Sequence, residues 1–419
     1  MIKYFFRSNS LLPIIFGLFF ILTSDILISK LFCLFFVTHI VFNLNEKNLI
    51  GLILVTLAGT SINYYITFLI IVFLVKRYKY SNIKVYTIIL FVILPIFLSV
   101  FIHKIYIQGL PLYESLSIFE YYIPFWFLLF GNYNNRLFTD NFVKNLIISI
   151  CFLKFFSFFI TENISYRVFQ FFSILAIFLL FLKTFTRHRN ILFEIKFLSI
   201  FPFLIYFEFS LNVLVSLIIV FILLRTIKNK YIFNKYKFFL ILMPFLILFT
   251  TIINYNYNYT NPLVNYDVNY LNDNILNNIE YKLFFDRIPI WDGVLKSIFL
   301  NLDFLPSFLE RIVSYEDFNG TLFEVGFQSH NTFLEFIRIN GLIIGSLFFY
   351  FILKNVFNIL NFKNRVLNLN ILFRITFFAS SISIMTFGQY LIQLNLSFFY
   401  FFIIGSLSLT KLNLNLNVK

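Results

Sequence analysis

Residues 238–253 read FFLILMPFLILFTTII, sixteen positions without a charge. Such a run approaches the ~20 apolar residues that span a hydrocarbon core as a helix. What flanks it gives it a direction. The preceding stretch, RTIKNKYIFNKYK (225–237), is basic, and the following 254–330 holds no long apolar run. Short basic loops stay on the cytoplasmic side of a membrane, so 254–330 falls on the outer side.

The same pattern recurs outward from this point. Apolar runs such as LLPIIFGLFFIL (11–22) and VYTIILFVILPIFLSVFI (85–102) extend along a chain of 419 residues that is 60% hydrophobic and only 12% charged. Mean hydropathy is +0.86. Further basic loops are KRYKYSNIK (76–84), KTFTRHRN (183–190) and KNVFNILNFKNR (354–365). Between basic loops the number of crossings is even. Four segments fit near 85–103, 117–130, 142–160 and 168–182, and two fit between 191 and 224. Either two long or four short ones precede residue 76, and another span covers 332–353. The expectation is an all-α, polytopic integral membrane protein of about 12–14 helices, with both termini inside. Lys3 and Arg7 precede the first run, but no small-residue cleavage site follows it, so it reads as an anchor.

Segment 254–330 differs in charge as well as hydropathy. It carries ten acidic and four basic residues, a net of −6 that leaves +20 on the remainder. The chain divides into N-terminal transmembrane helices (1–253), a large outer loop (254–330) and C-terminal transmembrane helices (331–419). The net charge of +14 sits in inter-span loops, which argues for membrane orientation and against nucleic acid. Cys33 and Cys151 lie in apolar runs without metal-ligand or disulfide spacing. Nucleotide, serine-hydrolase, zinc and dinucleotide signatures are absent from the sequence, and no metal or cofactor is expected.

Within the loop, NYNYNYTNPLVNYDVNYLNDN (254–274) reads as irregular Asn/Tyr-rich chain. In DRIPIWDGVLKSIFLN (286–301), Ile288, Trp291, Leu295 and Ile298 recur at helical spacing, with Pro289 suited to the first turn. This helix is expected in the outer interface with Trp291 at headgroup level. A second short helix is expected over 307–315, and Asn319-Gly320 reads as a turn.

The stretch GFQSHNTFLEFIRINGLIIG (326–345) concentrates polar residues at the mouth of a span. Thr332 and Glu335 fit a capping box. Gly341 and Gly345 form GxxxG, which permits close helix approach in lipid. His330 and Asn331 precede a helix N-terminus, where backbone N–H groups and the dipole favour an anion. Arg338 lies roughly 12 Å further along the axis and is costly there unless it faces a cavity or a partner. Glu335, three residues away, is such a partner. Arg287 either pairs on the surface with Asp286 or grips a diphosphate through its fork of donors. Arg311 in the loop and Arg167 in another short outer loop are further arginines on the outer side. Glu208, within an apolar segment, is a lone intramembrane acid.

In order, these features resemble a known family. A large outer loop carries Arg-x-x-x-Trp (Arg287, Trp291); a Gly-rich turn precedes His-Asn-x-x-Leu (His330, Asn331, Leu334); a span with Gly-x-x-x-Gly follows. This arrangement, over about 287–345, resembles the shared region of bacterial O-antigen polymerases (Wzy type) and O-antigen ligases (WaaL type). The resemblance implies a GT-C-like membrane fold in the bacterial inner membrane. It implies a metal-independent, inverting glycosyl transfer on the periplasmic face, with an undecaprenyl-diphosphate-linked oligosaccharide as donor. The polymerase reading, with a chain-length regulator protein as partner, is preferred to the ligase. A lipid-linked oligosaccharide flippase is the alternative of another class. By resemblance, Arg287 contacts the diphosphate and His330 lies by the acceptor hydroxyl or the diphosphate. Asn331, Arg338, Glu335, Trp291, Arg311 and Arg167 form the substrate-binding surroundings. One departure stands out: family members carry a further arginine in a span before the loop, where FEFSLNVLVS (207–216) has Ser210 and Asn212 but no arginine.

Overall fold

The computed structural model describes residues 11–23, 26–42, 45–58, 139–157, 211–258, 313–316, 322–325, 330–361, 367–388 and 394–407, with isolated positions within 65–69, 168–175 and 287–295. The described chain is helical: α1 (Leu12–Leu22), α2 (Leu27–Phe42), α3 (Glu46–Thr56), α4 (Asp140–Ser157), α5 (Leu211–Thr226), α6 (Lys230–Asn258), α7 (Thr332–Ile359), α8 (Leu369–Phe387) and α9 (Leu394–Leu407). The expected all-α body has one departure. Val313–Glu316 (β1) and Leu322–Val325 (β2) pair antiparallel. The hairpin replaces the end of the helix expected over 307–315. Its β-branched and aromatic residues (Val313, Tyr315, Phe323, Val325) suit a ladder, and the pair brackets Asn319-Gly320.

Asparagine starts four of these helices. Asn45, Asn331 and Asn368 each hold extended backbone and accept a bond from the N–H three residues on. Asn229 accepts from Tyr231 and Ile232 at the start of α6, and Thr139 accepts from Phe142 at the start of α4. Each cap satisfies a donor that the helix cannot reach.

Three short helices precede residue 58, and Tyr65, Ile66 and Leu69 are helical. Among the described residues, three short helices rather than one long span occupy 12–56. Basic loops were drawn too long. Lys230–Lys237 already belongs to α6, and Lys354–Ile359 to α7. Apolar windows end before helices do because lysine stems lie along apolar surface. Helix α6 also runs through Asn258, into the start of the Asn/Tyr tract. The segments expected near 85–103 and 117–130 lie outside the described residues.

Helix α8 is the centre. Every residue from Leu369 to Phe387 except Asn370 is buried, beneath α4, α5, α6 and α7. At its N-terminal end, Asn370 N donates to Asp140 Oδ1 (2.8 Å), and Thr139 Oγ1 to Glu46 (2.7 Å). Lys237 Nζ donates to Asn361 Oδ1 (2.7 Å) and sits 3.5 Å from the Phe357 ring centroid. Arg374 donates from Nε to Asn370 and from Nη1 to the carbonyls of Ile359 (3.3 Å) and Leu407 (2.7 Å). Those carbonyls end α7 and α9, so one buried cation serves two helix C-termini. Replacing Arg374 by methionine is expected to cost about 2 kcal/mol, from charge-assisted bonds lost and carbonyls left bare. The unfolding midpoint of the purified chain in detergent checks it.

Asn340–Ile359 and Leu369–Phe387 are long and apolar enough to cross a membrane, and four shorter apolar helices are Leu12–Leu22, Leu27–Val41, Asn212–Thr226 and Leu396–Leu407. Apolar side chains also face outward at helical spacing: Leu11, Ile15 and Phe19 on α1; Ile28, Leu31, Phe32 and Phe35 on α2; Leu214, Ile218 and Phe221 on α5; Ile343, Leu347 and Tyr350 on α7.

Candidate functional site

Helix α7 is not one straight rod. Gly341 holds φ 73° and ψ 169°, a conformation essentially confined to glycine. A Cβ placed on Gly345 would lie 2.5 Å from Phe336 O and 2.7 Å from Ile337 Cα. In a continuous helix residues 336 and 345 would be ~13 Å apart along the axis. The Phe333 and Phe349 rings confirm the reversal, with centroids 5.2 Å apart. The chain thus folds as a hairpin: a short leg, 332–340, lies back against a long leg, 342–359. Phe245 of α6 locks the two together, 4.6 Å from Phe333 and 5.2 Å from Phe349. At the tip, Asn340 Nδ2 donates to Phe336 O (3.0 Å), tying the last residue of the short leg back onto its preceding turn.

The expected single span over 332–353 is therefore corrected, and so is the use of GxxxG. Gly341 makes the turn and Gly345 admits the chain's own short leg. The capping box is corrected as well. Asn331 is the N-cap, its Oδ1 accepting from Leu334 N (3.1 Å), which puts Glu335 one position too late to close a box. Asparagine caps at least as well as threonine. Thr332 is used elsewhere.

The start of the short leg docks on the C-terminal end of α8. Asn331 Nδ2 donates to Thr386 O (3.1 Å). Thr332 Oγ1 donates to Gly388 O (2.9 Å) and Ile384 O (3.5 Å). These are carbonyls that a helix end leaves without intrahelical partners. His330, immediately before the cap, is half-buried and holds φ 50°, the left-handed region that non-glycine residues seldom adopt. One turn into α8, Ser383 Oγ donates to Asn212 O (2.9 Å), tying the start of α5 to the same end.

Arg287 arrives from the other side of the loop. Its guanidinium carbon lies 5.7 Å from the Phe387 ring centroid, and its Nε and Nη1 are buried. Two residues that are 43 positions apart in sequence, Arg287 and His330, thus belong to segments that meet at residues 386–388. Trp291 corrects an expectation. It is fully buried, with Ile290 and Val294 beside it in sequence also buried, so this segment packs into protein and not into a headgroup layer. Positions 290–291 and 294–295 are helical, as the spacing required, and Arg287 lies in a π-turn.

Glu335 and Arg338 form a bidentate pair on the short leg. Arg338 Nε donates to Glu335 Oε2 at 3.2 Å and Nη2 to Oε1, with side chains 1% exposed. Arg167, Arg311, Glu208 and Ser210 lie outside the described residues. Among the described residues no group of three or more His, Cys, Asp or Glu could hold a metal.

Sequence reasoning missed Thr386, Phe387 and Gly388. The one signal was the density of hydroxyls in α8 (Thr376, Ser380, Ser381, Ser383, Thr386), all buried. Comparison with protein-family models, curated proteins and solved structures found no match.

Proposed function

We propose that the chain is a polytopic bacterial inner-membrane glycosyltransferase of the polysaccharide-polymerase kind. It would move an undecaprenyl-diphosphate-linked glycan onto another lipid-linked repeat unit at the periplasmic face. The membrane reading is supported by outward apolar stripes on four helices and by basic residues gathered in the stretches between apolar runs. The end of α8 marked by residues 386–388 is then the periplasmic one.

The observation that carries the chemical reading is the meeting of Arg287 and the His330–Thr332 segment at residues 386–388. In the proposed step the acceptor hydroxyl attacks the donor anomeric carbon and its proton passes to His330. The bond from that carbon to the diphosphate oxygen breaks, and the diphosphate leaves on its lipid. An arginine beside the departing oxygens stabilises the charge they gain, and a histidine is suited to take a proton near neutral pH. The buried Arg338 adds positive charge within the same short leg, offset by Glu335. The motif order over 287–345 supports the family that polymerases and ligases share, and the polymerase is the member preferred within it.

One observation favours a second reading. The break at Gly341 makes α7 a discontinuous helix, a feature of transporters for lipid-linked substrates as well. The surface polysaccharide of a host lacking this gene separates the readings. Lipid A–core carrying a single repeat unit indicates a polymerase. Long polymer stranded on undecaprenyl diphosphate indicates a ligase, and units trapped on the cytoplasmic side indicate a flippase. Complementation with Arg287→Ala or His330→Ala, at normal protein levels, is expected to lower polymer synthesis about 100-fold, the usual size of a lost transition-state contact. Full-length polymer from both variants would sink the assignment.

A further inference from the structure

The geometry points to Phe387 as the positioning residue of the site, an inference that rests on the diphosphate-binding role given to Arg287 above. Three consecutive residues at the C-terminal end of α8, the cap Gly388 included, take up both halves of the site. Thr386 O holds the Asn331 amide, Gly388 O holds the Thr332 hydroxyl, and Phe387, between them in sequence, has the Arg287 guanidinium carbon 5.7 Å from its ring centroid. The ring is 5% exposed. A guanidinium within about 6 Å of a ring centroid is attracted by the electron-rich face, most strongly where water is excluded. The ring holds the cation through its face and takes none of the guanidinium's N–H groups as a hydrogen-bond acceptor in the plane would. An aliphatic side chain would fill the same space without fixing the cation. Helix α8 fixes the ring in turn, since it is buried along its length and bonded to Asn212 at Ser383. Phe387 thereby couples the Arg287 segment to the His330–Asn331 segment, although neither motif contains it.

A double-mutant cycle of Phe387→Leu and Arg287→Met on the full chain in lipid nanodiscs tests this. Undecaprenyl diphosphate is the probe, and binding and unfolding are both read. Phe387→Leu is expected to weaken binding about tenfold in the Arg287 background and to change it little in the Arg287→Met background. Phe387→Trp, which keeps a π-face, is expected to bind better than Phe387→Leu. A residue that only fills space would give the opposite order, since tryptophan overpacks. The unfolding cycle is expected to show the same non-additivity without any lipid probe. Additive losses in the unfolding cycle overturn the proposal whatever the lipid does. Non-additive unfolding with no binding by the wild type leaves Phe387 holding Arg287 and overturns the diphosphate reading instead. Binding that Arg287→Met abolishes but Phe387→Leu leaves intact overturns the positioning role.

Discussion

Glu335→Ala is expected to destabilise the chain by about 3–5 kcal/mol, because it strands a buried cation. On an exposed helix an i,i+3 ion pair contributes only ~0.2–0.5 kcal/mol. Burial changes the size of the effect. Both side chains here are 1% exposed and the contact is bidentate. Removing one partner leaves the desolvation of Arg338 without its compensating charge. Glu335→Gln, which keeps an acceptor oxygen, is expected to lose less. The double variant Glu335→Leu/Arg338→Met removes both charges at similar volume and is expected to recover most of the loss, since apolar replacement of a buried pair is often neutral. Unfolding midpoints in detergent decide these points, and an unchanged midpoint for Glu335→Ala would contradict the buried pairing. The double variant also separates structure from function. If Arg338 supplies charge to the proposed site, the folded double variant makes no long polymer. If the pair only holds the short leg, polymer length is restored with stability.

The sequence carried the coarse helical architecture, but little of the geometry around Arg287 and His330. Apolar runs located α1, α4 and α6 because a helix buried or lipid-facing all round needs no finer pattern than length. The asparagine caps at Asn368 and Asn45 were not singled out from the sequence, since asparagine is common throughout the chain's loops as well. The capping box misled because two residues side by side, Asn331 and Thr332, can both cap. Only the nearby carbonyls of α8 draw Thr332 into another role. Trp291 misled because a lone tryptophan in an outer loop suits a lipid interface or a protein core equally, and only tertiary packing chooses between them. Arg287 and His330 were named from motif order. Their common docking point was hidden, since Phe387 differs in no local way from the many other phenylalanines of the chain.

Gly341 and Gly345 give the sharpest test of the hairpin. Gly345→Ala is expected to cost about 3 kcal/mol or more, the upper range for overpacking, because the added carbon meets backbone. The Cβ would lie 2.5 Å from Phe336 O and 2.7 Å from Ile337 Cα. That carbonyl cannot easily move aside. It accepts from Asn340 Nδ2, and its helix is pinned by the Phe245–Phe333–Phe349 cluster. Gly341→Ala forces a side chain into backbone space that only glycine occupies readily, at about 1–3 kcal/mol, and favours a straight helix instead. The usual GxxxG reading makes a different forecast: alanine would loosen one helix from another and leave each helix straight as before. Cysteines in place of Phe333 and Phe349 distinguish the two. Their rings are 5.2 Å apart across the hairpin, whereas a straight helix would separate the positions by ~24 Å. Oxidative cross-linking of this pair is expected in the glycine background and is expected to vanish with Gly341→Ala. Failure to cross-link with both glycines present would show that α7 runs straight. The short leg would then no longer bring His330, Asn331 and Arg338 back against the protein at the end of α8, and the proposed site would lose the scaffold on which its chemistry depends.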